Sequence, residues 1–303
     1  MRKPTQTQEP PWTLLRLLKW TSDYFKSHDI DDPRAAAEIL LAHTLGLTRI
    51  DLYLRHDQPM STEELQRFKP VIKRRVKREP VAYIVGEKEF WSMPFAVTPD
   101  VLIPRPETEC LVEAALDLLP PARENAIHRI FEPGTGSGAV IVALASERSG
   151  HLFFASDRSV RPVTIARRNA AQNGLDGAIR FFAGHWFDAC RHSAEFDMIL
   201  SNPPYIPSGD IPGLQPEIVN FEPKMSLDGG KGGLEAIGHL INAAHRYLMP
   251  GGVLLLEIGH DQKEAVGDLI EACGIYEQVE FFKDYSGCDR GVRMIKKMLQ
   301  SEN

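Results

Sequence analysis

The chain contains 303 residues, of which 43% are hydrophobic and 25% are charged, and its formal net charge is −6 at pH 7. This length and composition are typical of a folded globular protein with about two domains. The negative charge argues against a general nucleic-acid-binding protein, because such proteins usually carry an excess of basic residues.

The four cysteines form no Cys-x-x-Cys pair and no zinc-like cluster with histidine, so we expect reduced thiols and no metal site. Residues 1–11 are polar and lack the apolar stretch of a signal peptide. The longest apolar runs, such as residues 253–256, are far too short to span a bilayer. We therefore expect a cytoplasmic protein without membrane contact.

The N-terminal part of the chain has helical periodicity. Asp32 is followed by proline, which is typical of a helix start, and Ser61 is followed by Glu64 in the pattern of a capping box. Pro70 is expected to break or kink the last helix. The predicted helices cover residues 12–27, 33–45 and 61–78. They predict a small helical bundle, which we assign to residues 1–82.

Short apolar runs separated by turn residues follow the helical part. The predicted strands are residues 83–85, 90–97 and 101–103. Thr98-Pro99-Asp100 favours a turn, so we predict a β-hairpin linker over residues 83–104. A helix is predicted over residues 107–119, where Pro120-Pro121 ends it.

From residue 127 the pattern alternates between strands and helices, which predicts a doubly wound, mostly parallel α/β sheet. The seven predicted strands cover residues 129–132, 152–157, 179–183, 198–201, 252–258, 277–283 and 292–298. The predicted helices cover residues 139–147, 160–173, 233–248 and 262–272. Residues 284–291 are too few for a parallel crossover, so the last two strands should pair antiparallel. We assign residues 105–303 to this domain.

A glycine-rich loop follows the first strand of this region. It contains Gly134, Thr135, Gly136, Ser137 and Gly138. Glycines allow a tight turn, and the N–H groups at the start of the next helix favour an anionic ligand group. Asp157 ends the second strand, where its carboxylate can accept both ribose hydroxyls of a nucleotide. Enzymes that bind dinucleotides and methyltransferases both combine a glycine-rich loop with such an acidic residue. Glu132, just before the loop, favours S-adenosyl-L-methionine over a dinucleotide.

A second motif, Asn202-Pro203-Pro204-Tyr205, follows the fourth strand and should face the cofactor loop across the switch point of the sheet. The Asn202 side-chain oxygen and the Pro203 carbonyl can each accept an N–H of a planar –NH2 group. They orient that group and increase electron density on its nitrogen, a weak nucleophile. The prolines stiffen the loop, and Tyr205 can offer a ring face to the substrate. The two motifs predict methyl transfer to an amide or aromatic amine nitrogen, with Asn202 also touching the cofactor.

Other segments separate the families that share this tetrapeptide. They are residues 78–86 with Phe90-Trp91 after them, residues 102–109 (Leu-Ile-Pro-Arg-Pro-Glu-Thr-Glu), and Phe221-Glu222-Pro223. Together with the tetrapeptide they resemble the HemK/PrmC family, the methyltransferases of peptide chain release factors. The resemblance covers residues 13–298 and is weakest in the first 60.

The resemblance implies a Rossmann-like class I methyltransferase fold and a specific substrate. This substrate is the glutamine of the Gly-Gly-Gln motif in class-1 peptide chain release factors, methylated on its side-chain amide nitrogen, N5. The family pattern implies that residues 202–205 hold that amide, and that residues 134–138, Asp157 and Trp186 hold the cofactor. The helical domain would help to dock the release factor, and residues 103–108 would cover the active site. We expect a monomer that needs no direct contact with nucleic acid.

Some residues depart from this pattern or allow two interpretations. Relatives often carry an acidic residue at the position of His185, so the resemblance does not extend to a cofactor contact there. Residues 67–78 form either a solvated basic face or a patch for an acidic release-factor surface or ribosomal RNA. Arg105 and Glu107 either pair and cap a helix or help to close the site. Glu222 either supports the tetrapeptide loop or is exposed.

Three other functions share parts of the pattern. An amino-methyltransferase acting on adenine N6 or guanine N2 of nucleic acids would share both motifs, but it should carry a basic cleft or a target domain. A non-catalytic adapter should have lost Asn202 or Asp157. A dehydrogenase would not explain the tetrapeptide. The release-factor hypothesis is therefore favoured, and the nucleic-acid enzyme is the alternative.

Overall fold

The computed structural model describes residues 11–123, 126–191 and 195–298. These residues form two compact units. The first contains the described residues up to Gly86 together with Pro216–Phe221, and the second contains the remaining described residues. The predicted domain boundaries at residues 82 and 104 stay a prediction. No sequence pattern indicated that Pro216–Phe221 belongs to the helical unit.

The elements are numbered in chain order. The α-helices are α1 (Leu14–Lys26), α2 (Pro33–Leu45), α3 (Arg49–Leu54), α4 (Thr62–Val76), α5 (Val81–Val85), α6 (Glu109–Leu118), α7 (Ala139–Glu147), α8 (Val160–Gln172), α9 (Pro216–Phe221), α10 (Glu235–Ala244) and α11 (Lys263–Cys273). The strands are β1 (Glu87–Phe90), β2 (Met93–Ala96), β3 (Arg129–Pro133), β4 (Leu152–Asp157), β5 (Ile179–Ala183), β6 (Phe196–Ser201), β7 (Leu248–Glu257), β8 (Tyr276–Lys283) and β9 (Asp289–Lys296).

The first unit is a helical bundle around its own apolar core, which includes the fully buried Phe25 and Phe68. The predicted capping box at the start of α4 is confirmed. The Ser61 hydroxyl accepts the N–H of Glu64 at 3.2 Å, and the Glu64 carboxylate accepts the N–H of Ser61 at 2.8 Å. Pro70 was predicted to break or kink this helix. A break is wrong, because α4 continues through Pro70, and a kink stays a prediction. Pro70 is exposed, so water can satisfy the backbone carbonyl that loses its partner.

The basic segment over residues 67–78 is only in part a solvated face. The guanidinium of Arg75 is buried and pairs with the Glu217 carboxylate at 2.8 Å, and Arg78 approaches the same carboxylate at 3.2 Å. Arg74 pairs with Glu79 at 2.6 Å. These contacts use three of the basic side chains to hold the first unit together, with α9 as part of it. The solvent-exposed cations of the segment are Arg67, Lys69, Lys73, Arg74 and Lys77.

The predicted hairpin is present, but at other residues. The predicted strand at residues 83–85 is wrong, because this segment belongs to α5, where Ile84 packs into the helical core. β1 and β2 pair antiparallel and are joined by Trp91 and Ser92, whose φ angles are +53° and +56°. Residues 90–97 therefore contain the turn, and residues 101–103 form no strand. The usual Asn-Gly signal of such a turn is missing from the sequence, which explains the error.

The second unit contains a seven-stranded sheet in the order β5-β4-β3-β6-β7-β9-β8. β9 runs antiparallel to both of its neighbours, and the other pairs are parallel. All seven predicted strands are present, and the antiparallel pairing of the last two is confirmed. This topology confirms the predicted doubly wound, Rossmann-like fold.

Successive side chains of each strand point to opposite faces of the sheet, and both faces are buried. On β3, Ile130 packs into one apolar cluster with α6 and α7, whereas Phe131 packs into another with α10 and α11. On β7, Leu255 faces the first cluster, and Leu254 faces the second. Strands covered on both faces read as continuous apolar runs, as these do. The sheet is therefore a rigid base for the loops that follow its strands.

Candidate active site

The two predicted motifs meet at the centre of the sheet. β3 and β6 are parallel neighbours with Ile130 opposite Met198. Their last residues lie side by side, and the Ser201 hydroxyl donates to the Pro133 carbonyl at 2.7 Å. From here the chain continues to β4 on one side and to β7 on the other. The crevice beyond such a switch point is the usual ligand position in open α/β sheets.

The glycine loop is fixed to the end of β4. The N–H groups of Gly134 and Thr135 both donate to the Ser156 carbonyl, at 2.8 and 2.9 Å. Gly138 has a φ of +80°, and a Cβ there would lie 2.9 Å from the Ala166 Cβ, so only glycine allows α7 and α8 to approach this closely. Gly136 has a φ of +54°, and a Cβ there would meet nothing within 4 Å. Its backbone therefore borders open space.

Two acidic side chains flank this loop. The Asp157 carboxylate accepts the N–H of Gly136 at 3.1 Å and that of Ser159 at 3.1 Å, and burial raises its pKa. The buried Glu132 accepts the Thr135 hydroxyl at 2.5 Å. Burial raises the pKa of Glu132 to about 8, although this hydrogen bond opposes the rise. Both carboxyl groups are thus held in place by the loop that they border.

The tetrapeptide continues directly from β6. The Asn202 amide nitrogen Nδ2 donates to the Thr108 hydroxyl at 3.1 Å. The Tyr205 hydroxyl donates to the Glu257 carboxylate at 3.1 Å, and its carbonyl accepts from the Gln262 side chain at 2.9 Å. Burial raises the pKa of Tyr205 above its ordinary value. These contacts hold the loop at both ends.

A cavity of about 880 Å³ lies between the two motifs, within the size range of small-molecule sites. The tetrapeptide contributes Asn202 and Pro204 to its wall. The predicted cofactor residues in its wall are Glu132, Gly134, Thr135, Gly136, Ser137, Asp157, Trp186 and Asn202. Gly138, Pro203 and Tyr205 are outside the wall as the structure stands. Gly138 instead packs on Ala166, Pro203 is buried, and the Tyr205 hydroxyl points to Glu257.

One end of the cavity is aromatic. A Cβ at Gly134 would lie 3.2 Å from the Trp186 ring, so this indole packs directly over the glycine loop. His185 and His239 also line the cavity, with their ring centroids 6.4 Å apart. Burial and the neighbouring His185 lower the pKa of His239, which favours its neutral form. His185 is therefore part of the cavity wall, although its side chain departs from the family pattern.

Glu222 organises the segment that precedes α6. Its carboxylate accepts the Ile103 N–H at 3.2 Å and the Arg105 guanidinium at 2.5 Å. Arg105 therefore pairs with Glu222 rather than with Glu107, and it also lines the cavity. Among the described residues, Glu222 forms its hydrogen bonds with this segment and not with the tetrapeptide. The interpretation of Glu222 as an exposed residue is wrong, because it is 6% exposed.

Glu257 is a functional candidate that no sequence pattern singled out, and Thr108 was named only as part of residues 103–108, the segment that the resemblance places over the active site. Thr108 is buried beside Asn202, and Glu257 is the last residue of β7 with 1% of its surface exposed. Burial raises the pKa of Glu257 to about 7. A carboxylate that ends an apolar strand next to the strand of the tetrapeptide is a signal that could have identified it.

Comparison with known proteins decides the family. Residues 16–86 match the family model described as the PrmC N-terminal domain, and residues 113–219 match the methyltransferase small domain. The release factor glutamine methyltransferase of Geobacter sulfurreducens is 38% identical over 94% of this chain and 98% of its own length. That of Salmonella typhimurium is 42% identical over 86% of this chain and 92% of its own length.

The chain belongs to the release factor glutamine methyltransferase family.

Solved structures agree on the fold of this methyltransferase. A methyltransferase from Pyrococcus furiosus superimposes with a TM-score of 0.51 at 21% identity and covers 70% of this chain and 92% of its own. The catalytic domain of human METTL16, in complex with an RNA hairpin, has a TM-score of 0.54 at 16% identity, with coverages of 70% and 77%. At these identities the likeness concerns the fold alone.

Residues 11–123, 126–191 and 195–298 contain neither a membrane-spanning helix nor a metal-binding cluster. Within these ranges no helix is both long and apolar enough to cross a bilayer. In the same part of the chain, no three His, Cys, Asp or Glu side chains are grouped so that they could hold a metal ion. All four cysteines are free thiols.

Proposed function

We propose that this enzyme transfers a methyl group from S-adenosyl-L-methionine to the side-chain amide nitrogen, N5, of the glutamine in the Gly-Gly-Gln motif of class-1 peptide chain release factors. The observation that carries the proposal is the placement of Asn202. Its side chain lies in the cavity wall across from the glycine loop, and its Nδ2 is already engaged by Thr108. The Oδ1 atom is thereby the part of the amide available to a substrate N–H.

The residues at the cavity fit this cofactor. The backbone of Gly136 borders open space, and the acidic groups of Glu132 and Asp157 lie in the same wall. The Asp157 carboxylate suits ribose hydroxyls, the carboxyl group of Glu132 can form a hydrogen bond with a polar ligand group, and the bare backbone suits close approach. When bound, S-adenosyl-L-methionine supplies an electrophilic methyl group on a sulfonium centre.

The remaining cofactor contacts follow from the positions of the side chains. Asp157 would accept the ribose hydroxyls, and its bond from the Gly136 N–H already orients it. Trp186 would pack on the cofactor from its place over Gly134. The other backbone contacts would come from Thr135 and Ser137. Gly138 was predicted as a further contact, but it lies outside the cavity wall and its N–H already donates to the Thr135 carbonyl.

The tetrapeptide would hold the glutamine amide. Asn202 Oδ1 accepts one N–H, and the Pro203 carbonyl accepts the second, so the nitrogen lone pair is directed at the electrophile. Tyr205, fixed through its hydroxyl and its carbonyl, offers its ring beside the planar amide. No strong base is required, because the methylated nitrogen releases its proton readily.

The proposal also covers the setting of the reaction. The enzyme would act as a monomer in the cytoplasm, need no direct contact with nucleic acid, and dock the release factor through its helical N-terminal domain over residues 1–82. The similarity to release factor glutamine methyltransferases over nearly the whole chain supports a release factor as the substrate.

The test is to determine which candidate substrate receives the labelled methyl group. The protein is incubated with methyl-labelled S-adenosyl-L-methionine and, in separate reactions, a class-1 release factor, duplex DNA or ribosomal RNA. We expect label on the release factor only, and none on a release factor whose Gly-Gly-Gln glutamine is replaced by alanine. Label on DNA or RNA without label on the release factor would instead identify a nucleic-acid amino-methyltransferase.

A further inference from the structure

A glycine-rich segment, residues 229–233, packs on the backbone of the tetrapeptide. A Cβ atom at Gly229 would lie 2.7 Å from the Pro204 carbonyl oxygen, and a Cβ atom at Gly233 would overlap the Tyr205 carbonyl oxygen. Neither position can therefore hold a side chain unless the tetrapeptide moves. The segment contributes three of its residues to the cavity wall, so its distance from the tetrapeptide helps to set the shape of the site.

One side chain joins this segment to the tetrapeptide. Gln262 Nε2 donates to the Tyr205 carbonyl at 2.9 Å and to the carbonyls of Gly232 and Gly233, each at 3.3 Å. Its Oε1 accepts the N–H of Gly259 at 2.8 Å. The side chain is 6% exposed, so these backbone groups are its partners in place of water. Both ends of the amide are thus in use.

The position of Gln262 in its own helix does not explain this side chain. Gln262 is the N-cap residue of α11, but its side chain forms no capping bond with that helix. Glutamine is also not among the residues that are favoured at an N-cap. A Cβ atom at Gly259 would lie 2.9 Å from Gln262 Oε1, so the chain leaves room for the amide on this side. The side chain therefore serves the tetrapeptide and the glycine segment.

The two ends of the tetrapeptide are held by different contacts. Its upstream end continues from β6, where the Ser201 hydroxyl donates to a carbonyl of β3 at 2.7 Å. Its downstream end is held at the Tyr205 carbonyl by Gln262. The two prolines between these ends have fixed φ angles, so the loop has little freedom to absorb a displacement. A shift at the downstream end is therefore passed on to Asn202 and the Pro203 carbonyl.

We propose that Gln262 is a positioning residue for methyl transfer, which fixes the tetrapeptide against the glycine segment and so sets where Asn202 Oδ1 and the Pro203 carbonyl lie. The proposal rests on the proposed function, since that function makes these two oxygens the acceptors of the substrate amide. Gln262 is not part of the cavity wall, so it acts through the Tyr205 carbonyl and not on a ligand.

Gln262→Met is the first test, because it keeps the length of the side chain and removes its donor and its acceptor. We expect kcat for release-factor methylation to fall by about 10-fold or more, since a small misplacement of a reacting group costs that much. The dissociation constant of S-adenosyl-L-methionine, measured by calorimetric titration, should stay within about twofold. A loss of kcat without a loss of cofactor affinity is the result expected of a positioning residue.

Asn173→Ala is the matched control. The Asn173 amide also donates to backbone carbonyls, those of Pro94 at 3.0 Å and Asn169 at 2.9 Å, but it has no contact with the tetrapeptide. Both variants should lose stability, because each leaves carbonyls without their donor. Only Gln262→Met should lose kcat when the rate is expressed per folded enzyme, with the folded fraction taken from thermal unfolding.

Gln262→Glu adds a signature that a loss of stability does not produce. Ionised, the introduced carboxylate can only accept, so the Tyr205 carbonyl loses its donor. Burial raises the pKa of such a group, and in its neutral form it has one donor for Tyr205 and one acceptor for Gly259. The kcat of this variant, divided by that of the unmodified enzyme, should therefore rise as the pH falls from 8 to 6. The ratio removes the titration of groups that both enzymes share.

The outcomes separate this proposal from the proposed function. If the unmodified enzyme places no label on the release factor, the proposed function fails. If it does place label there, the role of Gln262 is overturned by a Gln262→Met enzyme as active as Asn173→Ala, or by one that loses cofactor affinity as much as kcat. If Gln262→Met does not fold, Gln262→Glu decides, and a kcat ratio that is the same at pH 8 and pH 6 overturns the proposal.

Discussion

Glu132 offers a direct test of the electrostatics of the cofactor loop. Its side chain is 2% exposed and accepts the Thr135 hydroxyl. Burial raises the pKa of Glu132 from its ordinary 4.5 to about 8, so the folded protein holds it in the neutral form near pH 7. An unfolded chain would ionise it there. Because the folded-state pKa is the higher one, its contribution to stability is complete below about pH 4.5 and is lost as the pH rises through about 8.

The magnitude follows from the change in pKa. At about 1.36 kcal/mol for each unit, the whole change corresponds to about 5 kcal/mol, of which about 3 kcal/mol is lost between pH 5 and pH 8. Glu132→Gln has no ionisation at this position. The free energy of unfolding of this variant should therefore fall less steeply with pH than that of the unmodified protein. The altered hydrogen bonds of the variant add a difference in stability that does not depend on pH.

The assay is urea unfolding of the unmodified protein and Glu132→Gln at several pH values from 5 to 8. The difference between their free energies of unfolding removes the effects of other titrating groups, such as Glu257, because both proteins contain them. We expect this difference to shift by about 3 kcal/mol in favour of the variant as the pH rises. A difference that does not change with pH would refute the reasoning about Glu132.

Two further pairs of substitutions, each with a matched control, test the roles of Asp157 and Tyr205. Asp157→Asn should weaken S-adenosyl-L-methionine binding about 10-fold or more by calorimetric titration, because hydrogen bonds to a charged group are worth at least about 1.4 kcal/mol. The control is Asp188→Asn, at an exposed position, which should leave the affinity unchanged. If the two variants bind the cofactor with equal affinity, the role of Asp157 is contradicted. Tyr205→Phe and Tyr276→Phe each lose one hydroxyl bond, to Glu257 and to the Ile241 carbonyl. Both should lose about 1 kcal/mol of stability, but only Tyr205→Phe should lower kcat, and equal kcat values would count against a substrate role for Tyr205.

The α/β sheet and its two motifs could be predicted because their signals are local. Apolar runs of strand length alternate with helical segments, and the glycine loop and the tetrapeptide each follow a strand directly. The switch-point rule then brings Gly134 and Asn202 together without any knowledge of side-chain contacts. The structure places both motifs at one cavity, as this rule predicts.

Contacts between distant parts of the chain could not be predicted in this way. Thr108 and Asn202 are separated by 94 positions, and Ile103 and Glu222 by 119. No local pattern indicates such pairs. The same limit applies to α9. In the sequence it lies between two parts of the second unit, but it belongs to the helical unit, where Glu217 pairs with Arg75.

Local errors have local causes. Residues 83–85 have the β-branched and aromatic composition of a strand, but burial of Ile84 in the helical core and Gly86 at the helix end favour α5. The turn at Trp91 and Ser92 has left-handed backbone angles without glycine or asparagine. In both places tertiary packing determines the backbone, and the propensity of the residues does not.

The position of the transferred methyl group is the most direct test of the proposed reaction. A class-1 release factor is treated with the enzyme and S-adenosyl-L-methionine, and its peptides are fragmented in a mass spectrometer. We predict a methyl group on the side-chain amide nitrogen of the Gly-Gly-Gln glutamine, formed about 100-fold or more slowly by Asn202→Ala although this variant binds the cofactor normally. A methyl group on any other residue, or an Asn202→Ala enzyme that is fully active, would contradict the account.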